Sequence, residues 1–325
     1  MDGTELVGRT FGRYLVESEI GRGGTSIVYR AQDGHSGRNV ALKTASCAPR
    51  RDSLPIDLVR EGRWLTSCRA PHVVQVFEVG KQDGVEFIAM ELMASTLDKR
   101  KADGPIPGDE MIGIATGMLL GLDSAHRAGI VHGDIKPANV GISRDGTVKL
   151  LDFGVAHAIP GFCEDQLITS ALPVGNIVGT LPYMAPEQLR GDPVDERADL
   201  YAVGAVLFEL ATGRPTFCEH GVVAMINAVL NAEPPHAATL NRLIERDTDD
   251  LLMTALAKAA SRRFQSAQAM LDALLQTGTA ERAVFLRGLM RRESTRRAPS
   301  MPKRALAGCA ALSRRSASTL THTAL

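Results

Sequence analysis

Two short stretches of this 325-residue chain concentrate groups able to do chemistry: His132-Gly133-Asp134-Ile135-Lys136-Pro137-Ala138-Asn139, and Leu151-Asp152-Phe153-Gly154 soon after it. Asp134 offers a carboxylate to an attacking hydroxyl, and Asn139 and Asp152 offer hard oxygen ligands of the kind Mg²⁺ prefers. A carboxylate, a metal held by oxygens and cations over phosphates are what phosphoryl transfer requires. The cations have candidates too. Lys43 ends the run Val40-Ala41-Leu42-Lys43, and strand alternation puts it on the face of Ala41, opposite Val40 and Leu42. Leu58, Glu61, Leu65 and Cys68 share one helical face, so Glu61 lies within an apolar stripe and needs a buried partner. An inward Glu61 finds that partner in Lys43. Gly21-Arg22-Gly23-Gly24-Thr25-Ser26-Ile27-Val28 completes the set. Glycines at a turn between strands let backbone N–H groups approach phosphate oxygens without a Cβ in the way. Such a turn is common by itself, and it differs from the dinucleotide fingerprint, which leads into a helix.

These groups need elements to hold them. Short β-type runs are expected over 14–20, 27–32, 39–43, 73–79 and 85–91, with Asp83-Gly84 as a hairpin turn, and a helix over 57–69. After about residue 104 the pattern turns helical, over 109–129, 200–212, 247–260 and 266–275. The fold class is therefore α+β and bilobal: a small β-rich N-lobe with one helix, then a larger helical C-lobe. The expected organisation is an extension over 1–10, the N-lobe over 11–93, the C-lobe over 94–277 and a basic, disordered tail over 278–325.

With these motifs in this order, the chain resembles the eukaryotic-like serine/threonine protein kinases that also occur in bacteria, over roughly residues 11 to 275. The resemblance implies a protein-kinase-like fold and Mg·ATP as the phosphoryl donor. It makes Ile20, Gly21, Arg22, Gly23, Gly24, Thr25, Ser26, Ile27 and Val28 the loop over ATP, with Ala41 beside it. It makes Lys43 the phosphate-binding lysine and Glu61 its helix partner. Asp134 corresponds to the catalytic base, Lys136 to the lysine near the γ-phosphate, and Asn139 and Asp152 to the magnesium ligands. Met90-Glu91-Leu92-Met93 falls at the gatekeeper and hinge, so backbone groups of Glu91 and Met93 would bond adenine. Ala185-Pro186-Glu187 closes the activation segment, and Gly179-Thr180 meets the substrate. Glu187 would pair with Arg263, and Asp199 would brace the catalytic loop. The implied partners are proteins with Ser or Thr hydroxyls, the chain itself among them, in signal transduction.

Three positions depart from the family pattern. Ser26 replaces the third loop glycine. Gly133 stands where many members carry an arginine that receives the activation-segment phosphate, which implies weak dependence on phosphorylation at Thr169, Ser170 or Thr180. Gly141 stands where leucine commonly lies under adenine, which implies weaker ATP binding unless Met90 or Ile142 repacks. His-Gly-Asp is also how small-molecule phosphotransferases of the aminoglycoside-kinase type spell their catalytic loop; Lys136, Gly179-Thr180 and Ala185-Pro186-Glu187 point instead to a peptide-accepting site. A catalytically dead scaffold usually lacks the lysine, the base or a metal ligand; all are present, and the departures at Gly133 and Gly141 keep that alternative open.

Composition sets the frame. Hydrophobic residues make up 44% and charged residues 23%, as in ordinary globular proteins. Formal net charge is +0, so no global field suggests nucleic acid. That balance hides an asymmetry: from Gln276 onward the chain carries a net +8, leaving −8 on the body. The basic tail reads first as a solvated extension; it is also a candidate to bind an acidic partner, anionic lipid or the acidic body of its own chain, and its serines and threonines among arginines are candidate self-phosphorylation sites. Five scattered cysteines without a CxxC pair argue against a disulfide framework or a structural zinc site. No signal peptide or membrane-spanning stretch is visible, which points to the cytoplasm.

Overall fold

Alternating burial organises the first lobe. The computed structural model describes residues 6–23, 26–45, 58–104, 106–154, 157–158 and 177–277. Strands β1 (Thr10–Phe11), β2 (Tyr14–Arg22), β3 (Ser26–Asp33) and β4 (Asn39–Ala45) come first, then helix α1 (Leu58–Ser67) and strands β5 (Val76–Gln82) and β6 (Val85–Glu91). They form one antiparallel sheet in the order β1-β2-β3-β4-β6-β5. Tyr14, Ile27, Tyr29, Val40, Leu42 and Phe87 bury one face in a core of its own. The opposite face, carrying Ala41, Ile88 and Met90, packs with Leu58 and Leu65 of α1 and continues into the core of the second lobe. Asp83 (φ +51°) and Gly84 (φ +83°) turn β5 into β6, left-handed at both central residues as a tight two-residue hairpin needs.

Strand β5 begins at Val76, three residues later than its valine run suggests. Val73 and Val74 are drawn to residues 148–150 instead: Val74 N–H donates to Leu150 O (3.0 Å), and Leu150 N–H donates to His72 O (2.9 Å). Two sheets compete for one apolar run, and the split ties the lobes together.

The second lobe opens with β7 (Ser95–Thr96), α2 (Leu97–Ala102), α3 (Gly108–Arg127) and β8 (Ile130–Val131). Strands β9 (Val140–Ile142) and β10 (Val148–Leu150) form a small sheet with β7, and β11 (His157–Ala158) pairs with β8. Helices α4 (Ile177–Thr180), α5 (Pro186–Arg190), α6 (Glu196–Thr212), α7 (Val222–Asn231), α8 (Ala237–Leu240), α9 (Arg246–Ala255) and α10 (Ala267–Gln276) follow. Helix α6 starts four residues before its apolar run because the Asp195 side chain caps it, accepting from Arg197 N–H at 3.0 Å. It is buried on nearly every side, so Asp199 and Glu209 within it need partners. Helix α9 ends at Ala255 rather than near 260, and a 3₁₀ turn at Ala260–Arg262 leads into Arg263. Ser266 caps α10 through Ala269 N–H (3.1 Å).

Among the described residues, no helix is long and apolar enough to cross a membrane. Gly24, Thr25, Thr169, Ser170 and the tail over 278–325 lie outside the described residues.

Candidate active site

The β3–β4–β6 sheet face and helix α1 converge on one ammonium. Lys43 Nζ donates to both carboxylate oxygens of Glu61, at 2.9 and 2.8 Å, and to Asp152 Oδ1 at 2.8 Å. Strand alternation delivers it: Ala41 and Lys43 share the face opposite Val40 and Leu42. Burial presses against charge on Lys43, yet Asp152 and then Glu61 hold its ammonium above the ordinary lysine range. Burial pushes the Glu61 carboxyl up to about 7 against the pull of Lys43. Packing around Asp152 also opposes ionisation, but Lys43 and the Gly154 N–H hold that carboxyl down to about 2. Asp152 adopts φ +56°, a left-handed backbone that aspartate tolerates better than most residues. Next to it, Phe153 is buried against the His132 ring, centroids 4.4 Å apart.

The loop between β8 and β9 gathers the second group. Asp134 Oδ2 accepts from Lys136 Nζ at 2.8 Å and from Asn139 Nδ2 at 2.9 Å. Lys136 Nζ also donates to Thr180 Oγ1 at 2.9 Å, linking Asp134 to the end of α4. Burial raises the Asp134 carboxyl above its usual range against the pull of Lys136. Asn139 uses its amide nitrogen on Asp134, through the carboxylate and through the backbone O (2.9 Å), so neither bond takes up its carbonyl oxygen. Leu151 N–H donates to Asn139 O (2.9 Å), so Asn139 is brought beside Asp152.

Apolar residues flank Lys43 on its face of the sheet. Val28, Ala41 and Met90 share a cluster with Met93 and Leu151. Gly23 N–H closes the glycine turn on Ser26 O at 2.8 Å. The residues of that turn are not equivalent: Ile20 is 40% exposed, while Ile27 is buried in the sheet's own core, on the face opposite Ala41 and Lys43. Glu91 gives its N–H to Gln75 O (2.8 Å), and its carboxylate accepts from Lys149 Nζ (2.6 Å). The space beside Gly141 is filled by Met93 and Leu151.

Supports for the loop come from far along the chain. Asp199 accepts from His132 N–H (2.9 Å) and Gly133 N–H (2.8 Å), as expected. His126 Nε2 joins it at 2.8 Å, a contact without a signal in the sequence because the two residues lie 73 apart. Gly133 has φ +77°, the left-handed backbone that glycine adopts at no steric cost. Gln188 Nε2 donates to Gly133 O at 2.8 Å, also unforeseen. Arg263 grips Glu187 with two bonds of 2.6 and 2.7 Å, both side chains buried. Glu209 accepts from Tyr183 OH (2.6 Å) and pairs with Lys101.

Residues 14–275 match the protein kinase domain family. The chain belongs to that family. Its kinase domain is 37% identical over 269 residues to a probable serine/threonine-protein kinase of Streptomyces coelicolor, covering 81% of this chain and 39% of that protein. It is 36% identical over 261 residues to serine/threonine-protein kinase PknL of Mycobacterium bovis (79% of this chain, 64% of that one). To serine/threonine-protein kinase PknB of Mycobacterium leprae it is 34% identical over 265 residues, covering 79% and 42%. The chain thus spans less than two thirds of the length of these relatives. The kinase domain accounts for the two lobes, the β-rich one first and the helical one second.

Proposed function

We propose that this kinase domain transfers the γ-phosphate of Mg·ATP to Ser or Thr hydroxyls of proteins, its own chain included, as part of signalling in the cytoplasm. The observation that carries the reading is Lys136 bridging Asp134 to Thr180, which couples the carboxylate to the segment where a peptide would lie.

ATP with its metal supplies the transferable phosphoryl group and the charge that neutralises it. The donor set suits that load. Asn139 and Asp152 are oxygen donors, and among the described residues no larger acidic or His/Cys cluster competes for a metal. Two protein oxygens with the remainder left to phosphate and water is the way Mg²⁺ is usually held. Lys43, fixed by Glu61, holds phosphate charge. Ile20 to Val28 cover the phosphates, Ile27 through its backbone alone. Val28, Ala41 and Met90 enclose the base, and Glu91 and Met93 present backbone groups to its edge. Asp134 orients the hydroxyl and accepts its proton, and Lys136 holds charge beside it. Positioning and electrostatics supply most of the rate, general-base assistance a smaller part.

The test is transfer of labelled γ-phosphate, with Mg²⁺, to the protein itself and to a generic basic substrate protein. Label on Ser or Thr that vanishes in Asp134→Asn is the expected result. Folded protein that binds ATP without transferring phosphate would make it a scaffold. Deleting 278–325 tests the basic tail separately: unchanged transfer and unchanged incorporation would remove it from regulation.

A further inference from the structure

Gly141 stands in the middle of β9, where a glycine weakens a strand and marks a close approach by something else. A Cβ placed on it would lie 2.5 Å from Met93 Cγ, 2.8 Å from Met93 Sδ and 3.1 Å from Leu151 Cδ1. Two such atoms cannot coexist, so positions 141 and 93 share a single volume, and Met93 occupies it. The backbone fixes the exchange. Ala94 N–H donates to Ile142 O at 3.0 Å, and Ser95 and Thr96 pair with Ile142 and Gly141. The thioether is thereby laid across β9. Leu151 flanks it and leads directly into Asp152, which holds Lys43. Val28 and Ala41, on the Lys43 face of the sheet, belong to the same apolar cluster.

We infer that Met93 sets this chain's affinity for the purine ring, supplying from the connector between the lobes the apolar floor that a side chain at 141 would supply from the strand. The inference rests on the nucleotide reading above. Contact with a flat ring is burial and dispersion, both lost when a few heavy atoms are removed. Methionine suits the task, being unbranched, polarizable and able to conform to a ring face without a fixed shape of its own. Its action is confined to the base, since the phosphates are met by Lys43 and the glycine turn. Weak nucleotide binding therefore does not follow from Gly141. The floor is present, but it comes from a different element.

Calorimetric titration of the full chain with ATP, ADP and inorganic tripolyphosphate, each with Mg²⁺, tests this. Met93→Ala is expected to weaken ATP and ADP alike, by about ten-fold, and to leave tripolyphosphate unchanged. Gly141→Leu alone collides with Met93 and also weakens ATP. In Met93→Ala/Gly141→Leu the leucine enters the vacated volume, and ATP affinity returns to within about three-fold of wild type. ATP affinity of Met93→Ala within two-fold of wild type, or a double variant no better than Met93→Ala, would overturn the floor assignment while the nucleotide reading stands. Wild type that binds no ATP, or binds tripolyphosphate as tightly as ATP, would overturn the nucleotide reading and this inference with it.

Discussion

Gly62 lies directly against Val79. A Cβ on Gly62 would stand 2.3 Å from Val79 Cγ2 and 2.9 Å from Cγ1, so α1 approaches β5 more closely than any residue with a side chain at 62 allows. Glu61, the preceding residue, reaches Lys43 from that helix at 2.8 and 2.9 Å. The depth of one contact sets the reach of the other.

Gly62→Ala is accordingly expected to cut kcat ten- to hundred-fold. Alanine favours a helix over glycine by about 1 kcal/mol, so lost helicity cannot be the cause. The stiff β-branched Val79 cannot yield by rotation, and overpacking of this kind costs about 1–3 kcal/mol. Adding Val79→Ala should restore most of the rate. Steady-state kinetics of both variants decide it: a double variant as slow as Gly62→Ala would sink the coupling.

Gly133 carries two expectations. Its φ of +77° costs a side-chain-bearing residue roughly 1–2 kcal/mol, so Gly133→Ala should lower the urea midpoint accordingly. Glycine also offers no guanidinium to an activation-segment phosphate. Thr169→Ala/Ser170→Ala should therefore keep most of the wild-type transfer rate; a collapse to background would refute this.

Arg263 and Glu187 form a buried two-bond pair, with the Arg263 guanidinium 4.9 Å from the Tyr201 ring centroid. Removing one partner strands the other's charge in the interior, at a cost of about 3–5 kcal/mol. Arg263→Met and Glu187→Gln should each lower the midpoint of chemical unfolding by that measure. The double variant should lose less than the two single losses together, and simple additivity would show that the charges do not depend on one another.

The pH dependence of stability follows from Glu61. Burial raises its carboxyl to about 7 in the folded chain, from the ordinary glutamate value of 4.5. Between those values the folded chain retains a proton that the unfolded chain has released. This group's contribution therefore favours folding at the acid end of the window and declines as pH rises toward 7, by at most about 1.4 kcal/mol for each step of one in pH. Asp152 runs the other way: its carboxyl, lowered to about 2, contributes stability above the usual aspartate range that is lost only as pH falls toward 2. Unfolding midpoints of wild type and Glu61→Gln between pH 5 and 8 test the first of these. A slope unchanged in Glu61→Gln would assign it to another group.

What could be read from the chain by itself was local or came as motifs. Asp134 to Asn139 and Leu151 to Gly154 are contiguous, and their residue types limit the chemistry whatever surrounds them. Lys43 with Ala41, and Glu61 within its helical stripe, follow from strand and helix periods, which the backbone imposes without reference to the rest of the fold. A buried glutamate's need for a cation then pairs the two. The supporting contacts had no such signal. His126 meets Asp199 across 73 residues, and Gly133 is met by Gln188 across 55. Val73 and Val74 read as part of a strand until β10 competes for their hydrogen bonds. Gly62 gave no signal and Gly141 read only as a missing floor under adenine, because a missing side chain says nothing of what fills the space. Only the folded chain shows Val79 and Met93 there. Periodicity and charge pairing act through the residue's own element, whereas shared volume exists only between elements that have already packed.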